Sequence, residues 1–323
     1  MLWFWIIVLA LFFLVIAPFV VLSGVLYSVL LVRTKPEKWD REVSLPDDPE
    51  YIAMYHEGLD WGKRYSAFCR EVTTESDGLR LAGQFFDFGF DRAVIILAGR
   101  MESCLYSYYF SEPYRAAGYN IMAVDNRAHG YSEGRVCSLG YREYRDVLAW
   151  GRMLHDGLGM KEVDLHGVCI GASTALFALI SPDCPDYFSG MTSDGMYVTF
   201  GESFKNHMIE QHRPLFPIFY LTMAWIRVVS GADVVWDGPK YRIGALKKPI
   251  LMIQSREDIY SLPERAEELY RDCGAEIKQL TYFDRGAHSR VRCNAKERYD
   301  AVIADFLRRI HPEEALLQNE VRN

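Results

Sequence analysis

From Leu2 to Val32 the chain runs for 31 residues without one charged side chain. As a helix that run would be about 46 Å long at ~1.5 Å per residue, more than the ~20 residues that cross a bilayer. Trp3, Phe4 and Trp5 stand at one end and Tyr27 towards the other, where interfacial aromatics anchor a span. Pro18 is a candidate kink. A cleaved signal peptide needs a basic segment, an apolar stretch of only ~7–15 residues and a small-residue cleavage site. No Lys or Arg precedes this run, so residues 1–33 read as an uncleaved transmembrane anchor. A core helix of this length with no polar face is a poorer account. Arg33, Lys35, Lys38 and Arg41 follow directly, and the positive-inside bias places the following domain in the cytoplasm. Glu37, Asp40 and Glu42 count for little in that rule. The chain carries no Asn-x-Ser/Thr acceptor, which agrees with that side.

Beyond the anchor the composition is that of a globular chain, with 50% hydrophobic and 24% charged residues. Collagen-like, low-complexity and disordered classes are excluded. The 36 Lys and Arg against 43 Asp and Glu give a net charge of −7 with no basic stripe, which argues against nucleic acid as a partner. Seven cysteines at irregular spacings do not make a disulfide scaffold and read as reduced thiols.

Residues 34–70, with Pro36, Pro46 and Pro49, read as a short linker followed by an amphipathic helix around 50–66. From Glu71 the pattern alternates. Val72–Thr74 and Leu79–Phe86, split by Asp77-Gly78, predict a hairpin. Short apolar runs follow at Ala93–Leu97, Asn120–Val124, Val163–Leu165, Phe188–Thr192, Ile250–Ile253 and Ile277–Tyr282, as buried parallel strands require. Helical periodicity lies between them at Tyr141–His155, Ala172–Ile180, Pro263–Asp272 and Ala295–Ile310. The alternation predicts an α/β fold with a doubly wound, mostly parallel sheet, and ligands beyond the carboxyl ends of its strands. One gap is long and aromatic, with Phe200, Phe204, Phe216, Phe219, Tyr220, Trp225 and Trp236. Within it Leu215–Val229 is too short for a second span and has Pro214 and Pro217 at its start. Residues of about 196–246 are expected to form a helical cap inside a domain of 71–312, and 313–323 a C-terminal tail.

The strongest chemical signal is Gly167-Val168-Cys169-Ile170-Gly171, between the strand at Val163–Leu165 and the helix at Ala172. A sharp strand-to-helix turn exposes a nucleophile and demands small residues two positions either side of it. At a helix N-terminus a Cys thiolate is favoured. A buried structural Cys in a Gly-rich turn would read the same way. Two later positions add to it. Asp258 follows the strand Ile250–Ile253 and His288 follows the strand Ile277–Tyr282, giving the order nucleophile, acid, base. Cys169 would attack an acyl carbon, His288 would move the proton, and Asp258 would hold the imidazole tautomer. Asp258 could equally be a helix N-cap, and a lone His is often structural. Asp194, at the end of the strand from Phe188, is the alternative acid. No Cys/His cluster has metal-ligand spacing, and neither GxGxxG nor GxxxxGK[ST] occurs, so neither metal nor nucleotide cofactor is expected.

These motifs make the chain similar to members of the α/β-hydrolase superfamily. Within it, residues 71 to 310 resemble the bacterial membrane-anchored, serine-hydrolase-like group with an N-terminal helix. The segment Asp125-Asn126-Arg127-Ala128-His129-Gly130-Tyr131-Ser132-Glu133-Gly134 carries most of that resemblance, together with Gly167, Gly171 and Asp77-Gly78. The resemblance implies that His129 shapes a turn beside the site and is no second base. It favours Asp258 over Asp194 as the acid. It also implies that the backbone N–H groups of Arg100 and Ile170 form the oxyanion hole. Two positions depart from the family. Cys169 stands where Ser is usual, and Ala98-Gly99 where His-Gly is usual. Cys nucleophiles occur elsewhere in the superfamily, in dienelactone hydrolases, polyhydroxyalkanoate synthases and bile-acid acyltransferases.

The expected function is a membrane-anchored hydrolase of an ester or thioester, acting on a small acyl substrate that the aromatic cap suggests is apolar. An acyltransferase using the same Cys, and a hydrolase-fold binding protein without turnover, are the competing readings.

Overall fold

A computed structural model describes residues 1–42 and 47–311. Pro46 of the expected linker and the tail at 313–323 lie outside the described residues. The helices are α1 (Leu2–Leu31), α2 (Pro49–Arg64), α3 (Cys104–Ser107), α4 (Glu112–Ala116), α5 (Glu143–Arg152), α6 (Ile170–Leu179), α7 (Phe200–Glu210), α8 (Ile218–Ser230), α9 (Pro239–Arg242), α10 (Pro263–Asp272), α11 (Val291–Asn294) and α12 (Lys296–Ile310). The strands are β1 (Cys69–Ser76), β2 (Leu79–Phe86), β3 (Arg92–Leu97), β4 (Asn120–Val124), β5 (Glu162–Val168), β6 (Phe188–Asp194), β7 (Ile250–Ser255) and β8 (Lys278–Phe283).

The eight strands form one sheet in the order β1-β2-β4-β3-β5-β6-β7-β8. β1 and β2 pair antiparallel through Ser76↔Leu79, and Asp77 and Gly78 at φ of 52° and 73° make the tight turn that their spacing predicts. β2 is antiparallel to β4, and every pair from β4 to β8 is parallel. The chain leaves β3 for β4 on one side and returns to β5 on the other. The carboxyl ends of β3 and β5 therefore flank the point where strand order reverses, and a crevice opens there. Strands β3 to β7 are buried almost throughout, because helices cover both faces.

Helix α2 starts where Asp48 accepts the Tyr51 N–H at 3.0 Å, with Pro49 in the first turn and Lys63 and Arg64 in the last. Gly58 and Gly62, four apart, let α2 lie against Tyr108 and Tyr109. A Cβ at Gly62 would come within 2.5 Å of the Tyr108 ring.

The segment after α1 is no free linker over its described part. The Arg33 N–H donates to the Arg135 carbonyl at 2.7 Å, and the Cys137 N–H donates to the Leu31 carbonyl at 2.9 Å. The Lys38 ammonium caps α1 by donating to the carbonyls of Ser28 and Val29, both at 2.9 Å. Trp39 and Arg41 are buried, and Arg41 pairs with both Asp125 and Glu71. The cap consists of α7, α8 and α9. Its α8 packs along the last third of α1, where Gly24 leaves room for the Trp225 ring, and the Trp225 indole N–H donates to the Val20 carbonyl at 3.3 Å. Tyr27, Leu30 and Leu31 are buried with Phe219, Met223 and Ile226 in one apolar cluster.

Candidate active site

Cys169 sits between the end of β5 and the start of α6 at φ 54°, a left-handed conformation uncommon for a residue with a side chain. The turn is held by two contacts that only glycine permits. A Cβ at Gly171 would lie 2.1 Å from the Leu97 carbonyl oxygen, and one at Gly167 would lie 2.4 Å from the Ala172 nitrogen. The Cys169 N–H donates to the Asp194 carbonyl at 2.9 Å, which ties the turn to the neighbouring strand.

His288, after β8, shares a cavity of about 180 Å³ with Cys169. Its Nδ1 lies 2.7 Å from Asp258 Oδ2. The other oxygen of Asp258 accepts the N–H groups of Tyr260 and Ser261, each at 2.8 Å, so the carboxylate is fixed from both sides. Burial works against the imidazolium. The charge of Asp258 and that of a Cys169 thiolate outweigh it and hold the His288 pKa well above its ordinary value. Gly195 lies against this pair at φ 65°, where a Cβ would come within 3.1 Å of the ring. Asp194, one residue earlier, faces elsewhere and accepts the Tyr299 hydroxyl proton at 2.8 Å. Its burial raises its pKa to about 6.

The turn after β3 carries Gly99, Arg100 and Met101. The Gly99 N–H donates to Glu102 at 2.6 Å and the Met101 N–H donates to His129 Nε2 at 3.2 Å. Between them the Arg100 N–H has no acceptor among the described residues. Ile170 opens α6, where backbone N–H groups lack helical partners. With His129 Nε2 accepting, its Nδ1 donates to the Arg127 carbonyl at 3.0 Å. Burial lowers its pKa to about 4, so the ring is neutral and acts as a brace. Asp125 supports the same turn by accepting the Cys104 N–H at 2.8 Å.

Cys169, His288, Asp258 and the turn of Arg100 thus converge on one crevice, together with Ile170. The sequence reading did not include Glu102, which takes the Tyr51 hydroxyl proton at 2.8 Å, nor Tyr197, Ser203, His207 and Arg290 on the cavity wall. Gly195 also escaped it. Its position one residue past a strand end is the one local signal that could have marked it.

Comparison with known proteins agrees with this fold. The sequence model of a family described as alpha/beta hydrolase fold matches residues 92–219. An uncharacterised protein of Bacillus subtilis, YqkD, is 26% identical over 220 residues, which is 66% of this chain and 70% of that one. The Pyrococcus furiosus esterase Pf2001 superposes with a TM-score of 0.64 at 23% identity, over 77% of this chain and 95% of its own. An alpha-beta hydrolase of Vibrio vulnificus covers 86% of this chain and 99% of its own, with a TM-score of 0.57 at 18% identity. By its strand order, its glycine-framed turn and these matches, the chain has an α/β-hydrolase fold.

Proposed function

We propose that the protein is a membrane-anchored acyl hydrolase that cleaves an ester or thioester through an acyl-enzyme on Cys169. The observation that carries this reading is the position of Cys169. It stands on a positive-φ turn at the carboxyl end of β5, opposite a His288 that is itself bonded to Asp258.

In the proposed reaction Cys169 gives its proton to His288, its sulfur attacks the acyl carbon, and the carbonyl electron pair moves to oxygen. The N–H groups of Arg100 and Ile170 hold that oxyanion. The intermediate collapses by breaking the bond to the alcohol or thiol, which takes a proton from His288. Water then gives a proton to His288 and attacks the thioester carbon, releasing the acid and the Cys169 thiol. Asp258 keeps Nε2 turned to the reacting atoms and stabilises imidazolium. Tyr197, Phe200 and Phe204 beside Cys169 suit an apolar acyl group.

The anchor reading rests on α1, a helix long and apolar enough to cross a membrane. Its last turns contribute Tyr27, Leu30 and Leu31 to the packed cluster under the cap. Cleaving the segment as a signal peptide would strip that cluster, which favours retention.

The test is labelling by an activated acyl ester or a thiol-reactive acyl probe, followed by peptide mapping. Label on Cys169, lost in Cys169→Ala, is expected together with release of free acid. A folded protein that no such probe labels would overturn the enzyme reading.

A further inference from the structure

Arg100 contributes more to the cavity than its backbone. Its side chain lines the same space as Cys169 and His288. Its polar contacts are the Leu30 carbonyl, 3.4 Å from Nη1, and the Met101 sulfur, 3.1 Å from Nη1. Neither carries charge, and no carboxylate among the described residues pairs with this guanidinium. The other charges around the cavity are engaged. Arg290 pairs with Asp48 at 2.8 Å, and Asp258 is committed to His288. Glu102 accepts from Gly99 and Tyr51, and burial raises its pKa, which weakens it as a counter-charge. On the α1 side the Lys38 ammonium has the same sign, and its pKa is lowered by burial and then by the Arg100 charge.

Burial lowers the Arg100 pKa, and the opposing charges of a Cys169 thiolate, Cys137 and Glu102 only partly offset that, with no carboxylate bonded to its fork. A desolvated guanidinium so placed is destabilising unless something pairs with it. Its planar fork of donors matches a carboxylate or phosphate. We propose that Arg100 receives an anionic group, carboxylate or phosphate, carried by the substrate, so that the enzyme selects anionic acyl esters over neutral ones. The proposal rests on the hydrolase reading for its substrate and on geometry alone for its site.

Two measurements separate those foundations. Alkylation of Cys169 needs no turnover, so its rate is compared for iodoacetate, which is anionic, and iodoacetamide, which is neutral. The iodoacetate-to-iodoacetamide ratio is expected to fall about tenfold in Arg100→Gln, as for loss of one charge-assisted contact, and to be partly kept in Arg100→Lys. A matched pair of nitrophenyl esters, one ending in a carboxylate and one in a methyl group, is expected to show the same fall in the kcat/KM ratio. Inorganic phosphate and phosphatidylglycerol vesicles serve as competitors of the alkylation. Protection by phosphate points to a soluble substrate, and protection by vesicles alone to a lipid headgroup. An alkylation ratio that depends on Arg100 without ester turnover would keep the anion site and remove the hydrolase reading. Both alkylation rates falling by one common factor in Arg100→Gln, or neither falling, overturns the anion site.

Discussion

Trp39 stacks on His129, with ring centroids 4.6 Å apart and planes 11° from parallel. His129 in turn accepts the Met101 N–H, so the segment leaving α1 bears on the turn that presents Arg100. We predict that Trp39→Ala leaves the fold intact and lowers kcat more than it raises KM, by about tenfold as a misplaced oxyanion donor would. An unchanged kcat in the folded variant would separate the segment after α1 from the site.

The same packing bears on truncation. A protein beginning near Glu37 lacks Tyr27, Leu30 and Leu31, and exposes Phe219, Met223 and Ile226. At about 1.5–3 kcal/mol for each buried side chain, the loss is on the order of 5 kcal/mol. We predict a soluble but weakened domain that binds a hydrophobic dye and melts at lower denaturant than the detergent-extracted full chain. Equal melting midpoints would show that the contact of α1 with α8 adds no stability. The full chain should stay with membranes after a carbonate wash, and protease added outside intact cells should spare the domain.

For the acid, we predict that Asp258→Asn lowers turnover by roughly 10⁴-fold with the fold retained, because the imidazole tautomer is no longer held. The variant should also bring the His288 pKa down, since the Asp258 charge raises it, and proton NMR of the ring follows that directly. Asp194→Asn should act on stability instead. The raised Asp194 pKa means that the unfolded chain ionises first as pH climbs from about 4 to about 6, so wild-type stability falls across that window. The Asn variant should lack that slope in urea titrations and keep most of its turnover. The reverse ranking of the two variants would move the acid to β6.

At the turn itself, Gly171→Ala should destabilise the protein by at least about 3 kcal/mol, because its Cβ meets the Leu97 carbonyl at 2.1 Å and neither backbone can yield without disturbing β3 or α6. Urea unfolding with a midpoint close to wild type would mean that the turn relaxes freely.

Strands β3 to β7 were legible because each holds a short apolar run that must be buried on both faces, and β4 and α10 begin and end where the pattern places them. The order Cys169, Asp258, His288 was legible because topology puts the carboxyl ends of β5, β7 and β8 on one edge. Arg41 was not. Its partner Asp125 is 84 residues away, and a polar segment rich in Pro carries no mark of what it will touch. The same holds for α8. Its apolar residues announced burial, but one face meets α1 while Tyr220 and Val228 stay 62% and 78% exposed, and hydrophobicity alone does not divide the two faces. Glu102 escaped because a carboxylate three residues after Gly99 looks like any solvated loop charge until the fold encloses it.

The thiol gives the most direct test of the site. Burial raises the pKa of Cys69, Cys184 and Cys137, to about 11, 11 and 12 in turn. Burial also raises Cys104, Cys273 and Cys293. All six are thereby held back from the thiolate form that reacts with electrophiles. Cys169 is partly exposed, stands at the N-terminus of α6 and faces a protonatable His288. We predict that iodoacetamide at neutral pH modifies Cys169 before any of the others, and that the activity is lost in step with that modification. Cys169→Ser should lose the alkylation and keep measurable esterase activity, since His288 can still take the hydroxyl proton, though a hydroxyl is the weaker nucleophile. Should Cys169 alkylate no faster than a denatured thiol while Cys169→Ala keeps full activity, the residue is a structural turn cysteine. Hydrolysis would then have to start from another nucleophile.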